Sequence, residues 1–210
     1  MTRRALAFAL AAALGATGCA DNMTSVQIAA ICAPPDDAAI CTFASTCDAQ
    51  FIGITAIDTV QTNTLWLIVQ VNNQTTNNAD SNTSRTNSHD AYVEEVDVEY
   101  EAPFAIPDAR QRIGPFVVPA AGSAVISMFP IPPAAGDIID AQLVGSTAVG
   151  IVAKTKLKGH YQDQTPFETA ALEVAVDVCE GCFDPNPCTT GLPVAFCPNF
   201  GQSPASVECE

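Results

Sequence analysis

The chain has 210 residues, with 23 Asp and Glu against 8 Lys and Arg, a formal net charge of −15, 15 prolines, 12 glycines and 9 cysteines. Such an acidic chain without a Lys/Arg-rich tract repels phosphates, which excludes nucleic acid as a partner and charge-driven attachment to anionic lipid. Its 48% apolar share is enough for one modest core, so one domain is expected.

The N-terminus reads as an address. Thr2-Arg3-Arg4 precedes an apolar run from Ala5 to Gly15, followed by Ala16, Thr17 and Gly18 in front of Cys19. A short basic start, an apolar run and small residues are the marks of a secretory signal peptide, placed here at 1–18. At 1.5 Å per residue the run reaches about 16 Å, half of a hydrocarbon core of about 30 Å, so it is too short for a stable span. The stretch Leu14-Gly15-Ala16-Thr17-Gly18-Cys19 resembles the bacterial lipobox, with Ala16 where that pattern usually carries Leu. The resemblance implies diacylation of the Cys19 thiol. It also implies sorting to the outer membrane, because Ala20 stands where Asp would favour inner-membrane retention. Ordinary cleavage near Cys19 would give a free secreted protein instead.

Residues 19–49 are expected to form a tether and then a Cys-pinned segment, since they hold Cys32, Cys41 and Cys47 and the breaker Ala33-Pro34-Pro35-Asp36-Asp37. Residues 50–178 carry strand-like segments separated by Pro, Gly, Asn and Asp. These are Phe51–Ile57, Thr64–Asn72, Ala91–Glu101, Arg112–Val118, Ser123–Ile131, Ala148–Tyr161 and Phe167–Val178. Several alternate with period two. Val96, Val98 and Tyr100 oppose Glu95, Asp97, Glu99 and Glu101, while Val149, Ile151, Ala153, Thr155 and Leu157 oppose Lys154, Lys156 and Lys158. Leu172, Val174, Val176 and Val178 form a third apolar face. About seven strands without long helical periodicity predict an all-β fold, an immunoglobulin-like antiparallel β-sandwich. Gly136 to Val144 is expected to make one helical turn at a corner of it. The segment Asn72 to Asp90 lacks any large apolar residue and is expected to be a long mobile loop.

After Val178 the chain becomes a disulfide-rich C-terminal tail, 179–210, containing Cys179, Cys182, Cys188, Cys197 and Cys209. Short Pro/Gly-rich spacings of this kind cannot build an apolar core, so covalent staples are expected. On Cys179, Gly181, Cys182, Cys188, Cys197, Gly201, Gln202 and Cys209, behind a lipobox and a seven-strand domain, the chain resembles secreted lipoproteins of myxobacteria and their relatives. That resemblance implies a surface or periplasmic lipoprotein and brings no particular activity with it.

No constellation for catalysis stands out. Ser88-His89-Asp90 are sequence neighbours whose side chains diverge, His160 closes a strand on its polar face, and no nucleophile elbow, His-Glu-x-x-His pair or phosphate loop occurs. The chain is therefore expected not to be an enzyme and to need no cofactor. Cys179-x-x-Cys182 is read as part of a disulfide framework, not as a zinc site or a redox pair, because no second close Cys pair and no helix-forming run accompany it. Weak calcium candidates are Asp80, Asn82 and Asp90 of the loop with Glu95 and Asp97 of the acidic stripe; a solvated face is the better reading, since Arg85 and Ala91 occupy the positions of the loop's Gly and Glu. Trp66 is expected to pack in the core.

Two further expectations concern pairing. The lysine stripe should share a sheet face with the acidic stripe, because that relieves like-charge repulsion. With Cys19 set aside, three cysteines precede the sandwich and five follow it. Both groups are odd, so full oxidation requires a bridge between them. The sequence thus predicts a lipid-anchored protein of the bacterial envelope, a structural or interaction module. Its partners would be the membrane, through the anchor, and an envelope protein or extracellular ligand. A small-molecule, glycan or calcium-binding sandwich is the alternative.

Overall fold

The computed structural model describes residues 25–34, 47, 49–77, 88–143, 148–184, 193–197, 202–203 and 206–209. In chain order the strands are β1 (Val26–Cys32), β2 (Gln50–Phe51), β3 (Thr55–Asp58), β4 (Leu65–Asn73), β5 (Ala91–Glu101), β6 (Ala109–Val118) and β7 (Gly122–Ile131). After the helix α1 (Pro133–Asp140) come β8 (Val149–Tyr161), β9 (Pro166–Glu168), β10 (Leu172–Cys179), β11 (Pro193–Cys197), β12 (Gln202–Ser203) and β13 (Ser206–Cys209).

Two sheets face each other. One has the order β2-β1-β4-β7; the other runs β12-β3-β10-β8-β5-β6, with β9 added against β8. The successive strands β4 and β5, β6 and β7, and β7 and β8 lie in different sheets, which is the Greek-key wiring of an immunoglobulin-like sandwich. Alternation fixes the core. Leu65, Leu67, Val69 and Val71 of β4 and Ile126 and Met128 of β7 meet Val96 and Val98 of β5, Ile151 and Leu157 of β8, and Val174, Val176 and Val178 of β10, all buried. Each such side chain removed from water contributes about 1.5–3 kcal/mol before the cost of ordering it. The helix starts on Pro133, whose ring presets the first turn, and buries Ala135 and Ile139; it begins three residues before the turn expected at Gly136–Val144 and ends at Asp140.

The structure corrects the sequence reading in four places. Val26–Cys32 is not tether: it pairs antiparallel with β4 from Val26↔Asn73 to Ile31↔Val69. A bulge between Ile28 and Ala30 breaks its alternation, which hides the strand signal. The segment Phe51–Ile57 is not one strand, because the chain leaves one sheet after Phe51 and joins the other at Thr55. Phe167–Val178 is likewise split. Thr169, between β9 and β10, donates its N–H to the Leu157 carbonyl and accepts the Leu157 N–H on Oγ1. Finally, the sandwich is not wholly antiparallel, since β3 runs parallel to β10 from Thr55↔Val176 to Asp58↔Cys179. The domain therefore reaches beyond 50–178 at both ends, with β12 of the tail pairing β3 through Gln202↔Ile57.

Candidate functional site

The outer face of the larger sheet carries the charge. In register, Glu95 lies opposite Lys158, Asp97 opposite Lys156 and Glu99 opposite Lys154, so the acidic and lysine stripes share one face as expected. On the other side β6 brings Arg110 opposite Asp97. The Arg110 guanidinium donates to both Asp97 oxygens at 2.9 and 3.1 Å and lies 3.1 Å from Glu95. Lys158 pairs with Asp97 and lies 3.3 Å from Glu168, Lys156 lies 3.0 Å from Glu168, and Lys154 pairs with Glu101. The hydrogen bond from Arg110 holds the Asp97 carboxyl below its ordinary range, against the opposing effect of burial, and Lys158 adds to it. Lys156 first, then Lys158, lowers Glu168. The hydrogen bond to Asp97 raises Lys158, and the one to Glu101 raises Lys154.

The calcium candidates that the structure describes have other partners. Glu95 and Asp97 are engaged by Arg110 and Lys158. Asp90 accepts the Ala120 N–H on Oδ1 at 2.9 Å, while Asp80 and Asn82 lie outside the described residues. Among the described residues no group of three His, Cys, Asp or Glu is arranged to hold a metal ion.

Next to the ladder the sheet is interrupted. Pairing of β5 with β6 passes from Val93↔Phe116 to Glu95↔Arg112, so three residues of β6, Ile113 to Pro115, oppose Glu94 alone. On the β8 side Val93↔Gly159 is followed directly by Glu95↔Lys158. This bulge lets Val93 and Val96 both face the core and turns Glu94 outward. Two glycines make it possible. Gly114 has φ 78°, and a Cβ on Gly159 would stand 1.9 Å from the Tyr92 carbonyl oxygen. The result is a groove of about 490 Å³ bordered by Glu94, Glu95, Arg112, Gly114, Lys158 and Gly159. His160 lies beside it, with Nδ1 3.3 Å from Glu94 Oε2 and its ring stacked on Tyr92 at 5.3 Å. The sequence showed the charges but not the groove. The dipeptide Gly114-Pro115 inside an otherwise regular strand was the available signal.

The end of the sandwich holding the loop bases is tied by side chains. Buried Asn73 donates to the carbonyls of His89 and Val118 and accepts from Thr75, and His89 Nδ1 lies 2.9 Å from the Thr76 carbonyl oxygen. His89 and Asp90 thus serve the base of the long loop. Residues 78–87 of that loop lie outside the described residues.

Of the cysteines, Cys32 is bonded to Cys47 and Cys179 to Cys182, with Cα atoms 5.0 and 5.9 Å apart. Cys19, Cys41 and Cys188 lie outside the described residues; Cys197 ends β11 and Cys209 ends β13. The strand leading into Cys179 is followed by a loop held by Asp58, a fully buried carboxylate that the sequence did not single out. It accepts N–H groups from Val60 at 3.1 Å, Gly181 at 2.7 Å and Phe183 at 2.8 Å. Gln202 was quoted only for a resemblance, yet it is 4% exposed and its amide accepts the Trp66 N–H and donates to the Trp66 carbonyl. Because β1 pairs β4 only from Val69 onward, this side chain stands in for a missing strand. Trp66 itself does not enter the core. Leu65, Leu67, Val69 and Val71 take the inward positions, so Trp66 turns outward and stacks on Phe129 with ring centres 6.2 Å apart.

The two disulfides fit an oxidising, extracellular or envelope setting. No helix among the described residues is long and apolar enough to cross a membrane. No protein-family model matches this chain, and no curated protein is significantly similar to it in sequence.

Proposed function

We propose that the protein is an exported, lipid-anchored module of the bacterial envelope, held to the outer membrane through Cys19, with the sandwich acting as a structural or protein-interaction unit and not as an enzyme. The observation that supports this most is the oxidised state of the domain. Cys32–Cys47 and Cys179–Cys182 each join the last residue of a strand, β1 or β10, to a cysteine further along the chain, and such bridges persist in exported proteins and are rare in the cytosol. The small-residue run ending at Cys19 then supplies the address. The charged face of the larger sheet is suited to meeting a partner, with carboxylates already held by Arg110 and the lysines.

The test is fractionation of expressing bacteria with mass spectrometry of the purified chain. Wild type should sit in the outer-membrane fraction and carry acyl mass on Cys19, and Cys19→Ser should be released, because one acyl chain binds only marginally whereas several anchor firmly. A soluble, unacylated wild type would overturn the anchor. Crosslinking on cells should then capture an envelope protein on the sandwich.

A further inference from the structure

We propose that the bulge groove on the outer face of the larger sheet is a binding site for a neutral, polyhydroxylated ligand, a saccharide. Its volume of about 490 Å³ falls within the range of about 300–1,000 Å³ typical of small-ligand sites. The lining selects the chemistry. Glu94, Glu95, Arg112 and Lys158 all line it, so the formal charges of the lining cancel although the chain as a whole carries −15. A net anion gains nothing from such a balance, and neither does a net cation. A ring of hydroxyls does, because each hydroxyl donates to a carboxylate and accepts from a guanidinium or ammonium.

Arg112 is the second argument. Arg110, Lys154, Lys156 and Lys158 all have carboxylate partners on this face, whereas Arg112, two residues from Arg110 along β6, has no ion pair among the described residues. Its five donors remain available at the groove wall. Ile113 to Pro115 leave the β5–β6 register at the same place, and Gly114 and Pro115 bring main chain to the groove wall. The stacked Tyr92 and His160 rings beside Glu94 offer a flat apolar edge of the kind a pyranose face covers.

The experiment is amide chemical-shift mapping on the oxidised Cys19→Ser protein. The probes are cellotetraose, maltotetraose, mannotetraose and chitotetraose, with glucuronic acid and glucosamine as charged controls. At least one neutral probe should shift the amides of Glu94, Arg112, Gly114 and Gly159 in a saturable way. Arg112→Ala and Glu94→Gln should each weaken that binding by about tenfold or more. Both residues are exposed, so a retained spectrum elsewhere verifies the fold. Absence of groove shifts with every neutral probe overturns the proposal, as do shifts unchanged in both variants. Tighter binding of a charged control overturns the neutral assignment. Since the probed protein carries no lipid, none of these outcomes bears on the anchor.

Discussion

Asp58 shows how a single buried residue organises chain far from it in sequence. Its carboxylate is fully buried and gathers main-chain donors from Val60, Gly181 and Phe183, while the Thr59 N–H donates to the Cys179 carbonyl. A buried charge persists only when hydrogen bonds replace its water, and here these bonds also fix the loop closed by Cys179 and Cys182. Asp58→Asn is nearly isosteric but presents an NH₂ group to donors. It should cost about 1.5–3 kcal/mol, the range for hydrogen bonds to charged groups, read as a lower midpoint in urea with unchanged slope. An unchanged midpoint would show that the loop is held by its disulfide alone. Nothing in the sequence around Ile57-Asp58-Thr59 points to this role, because the Gly181 and Phe183 donors lie more than a hundred residues away and are main-chain atoms. Gln202 was hidden for the same reason. Trp66, expected in the core, was misread although the signal was there: four apolar residues alternating around it already assign it to the outer face.

Among the elements, the ladder on β5, β6 and β8 has a testable pH dependence. Asp97 and Glu168 have lowered pKa values, so their contribution is complete above the ordinary carboxylate range. It is lost as pH falls through the depressed folded values. Lys158 and Lys154 are raised, so their share is present at neutral pH and lost only as pH rises past the lysine range. Stability from the ladder should therefore be flat between about pH 5 and pH 10 and decline on both sides. The Lys158–Asp97 pair is worth about 0.2–1 kcal/mol after screening by solvent. Asp97→Asn should lower stability by that order, with an effect that shrinks in molar salt. An Asp97→Asn loss that is the same in low and high salt would assign it to packing instead. The ladder could be foreseen from two period-2 stripes of opposite sign, whereas the register that aligned them could not. The bulge at Glu94 sets that register, and it depends on Gly159 approaching Tyr92 across strands. β1 escaped notice because its own bulge spoils the alternation by which strands are recognised.

At the scale of the whole molecule, the two observed bridges leave the parity argument standing. Cys32–Cys47 and Cys179–Cys182 each close within one end of the chain, leaving one N-terminal cysteine, Cys41, and three in the tail, Cys188, Cys197 and Cys209. Complete oxidation of these four requires Cys41 to bond to the tail. The hairpin of β11 and β13 narrows the choice. Its register sets Cys197 opposite Ser206 and Cys209 opposite Pro193, so the two cysteines stand about three residues, roughly 10 Å, apart along the ladder. Disulfides require Cα atoms within about 7 Å. Cys197 and Cys209 therefore cannot bond to each other, which also eliminates Cys41 with Cys188. The fully oxidised protein should contain either Cys41–Cys197 with Cys188–Cys209, or Cys41–Cys209 with Cys188–Cys197. In both, one bridge encloses every strand from β2 to β10. A loop of that length is worth on the order of 5 kcal/mol by the chain-entropy estimate, less whatever strain the native state imposes. Pairing of β12 with β3, and of the Gln202 amide with Trp66, already brings the tail back to the domain that such a bridge would close. Non-reducing peptide mapping should recover a peptide holding Cys41 linked to one holding Cys197 or Cys209. A Cys41–Cys188 link would overturn the hairpin register, and free thiols on both Cys41 and a tail cysteine would leave the sandwich unclosed.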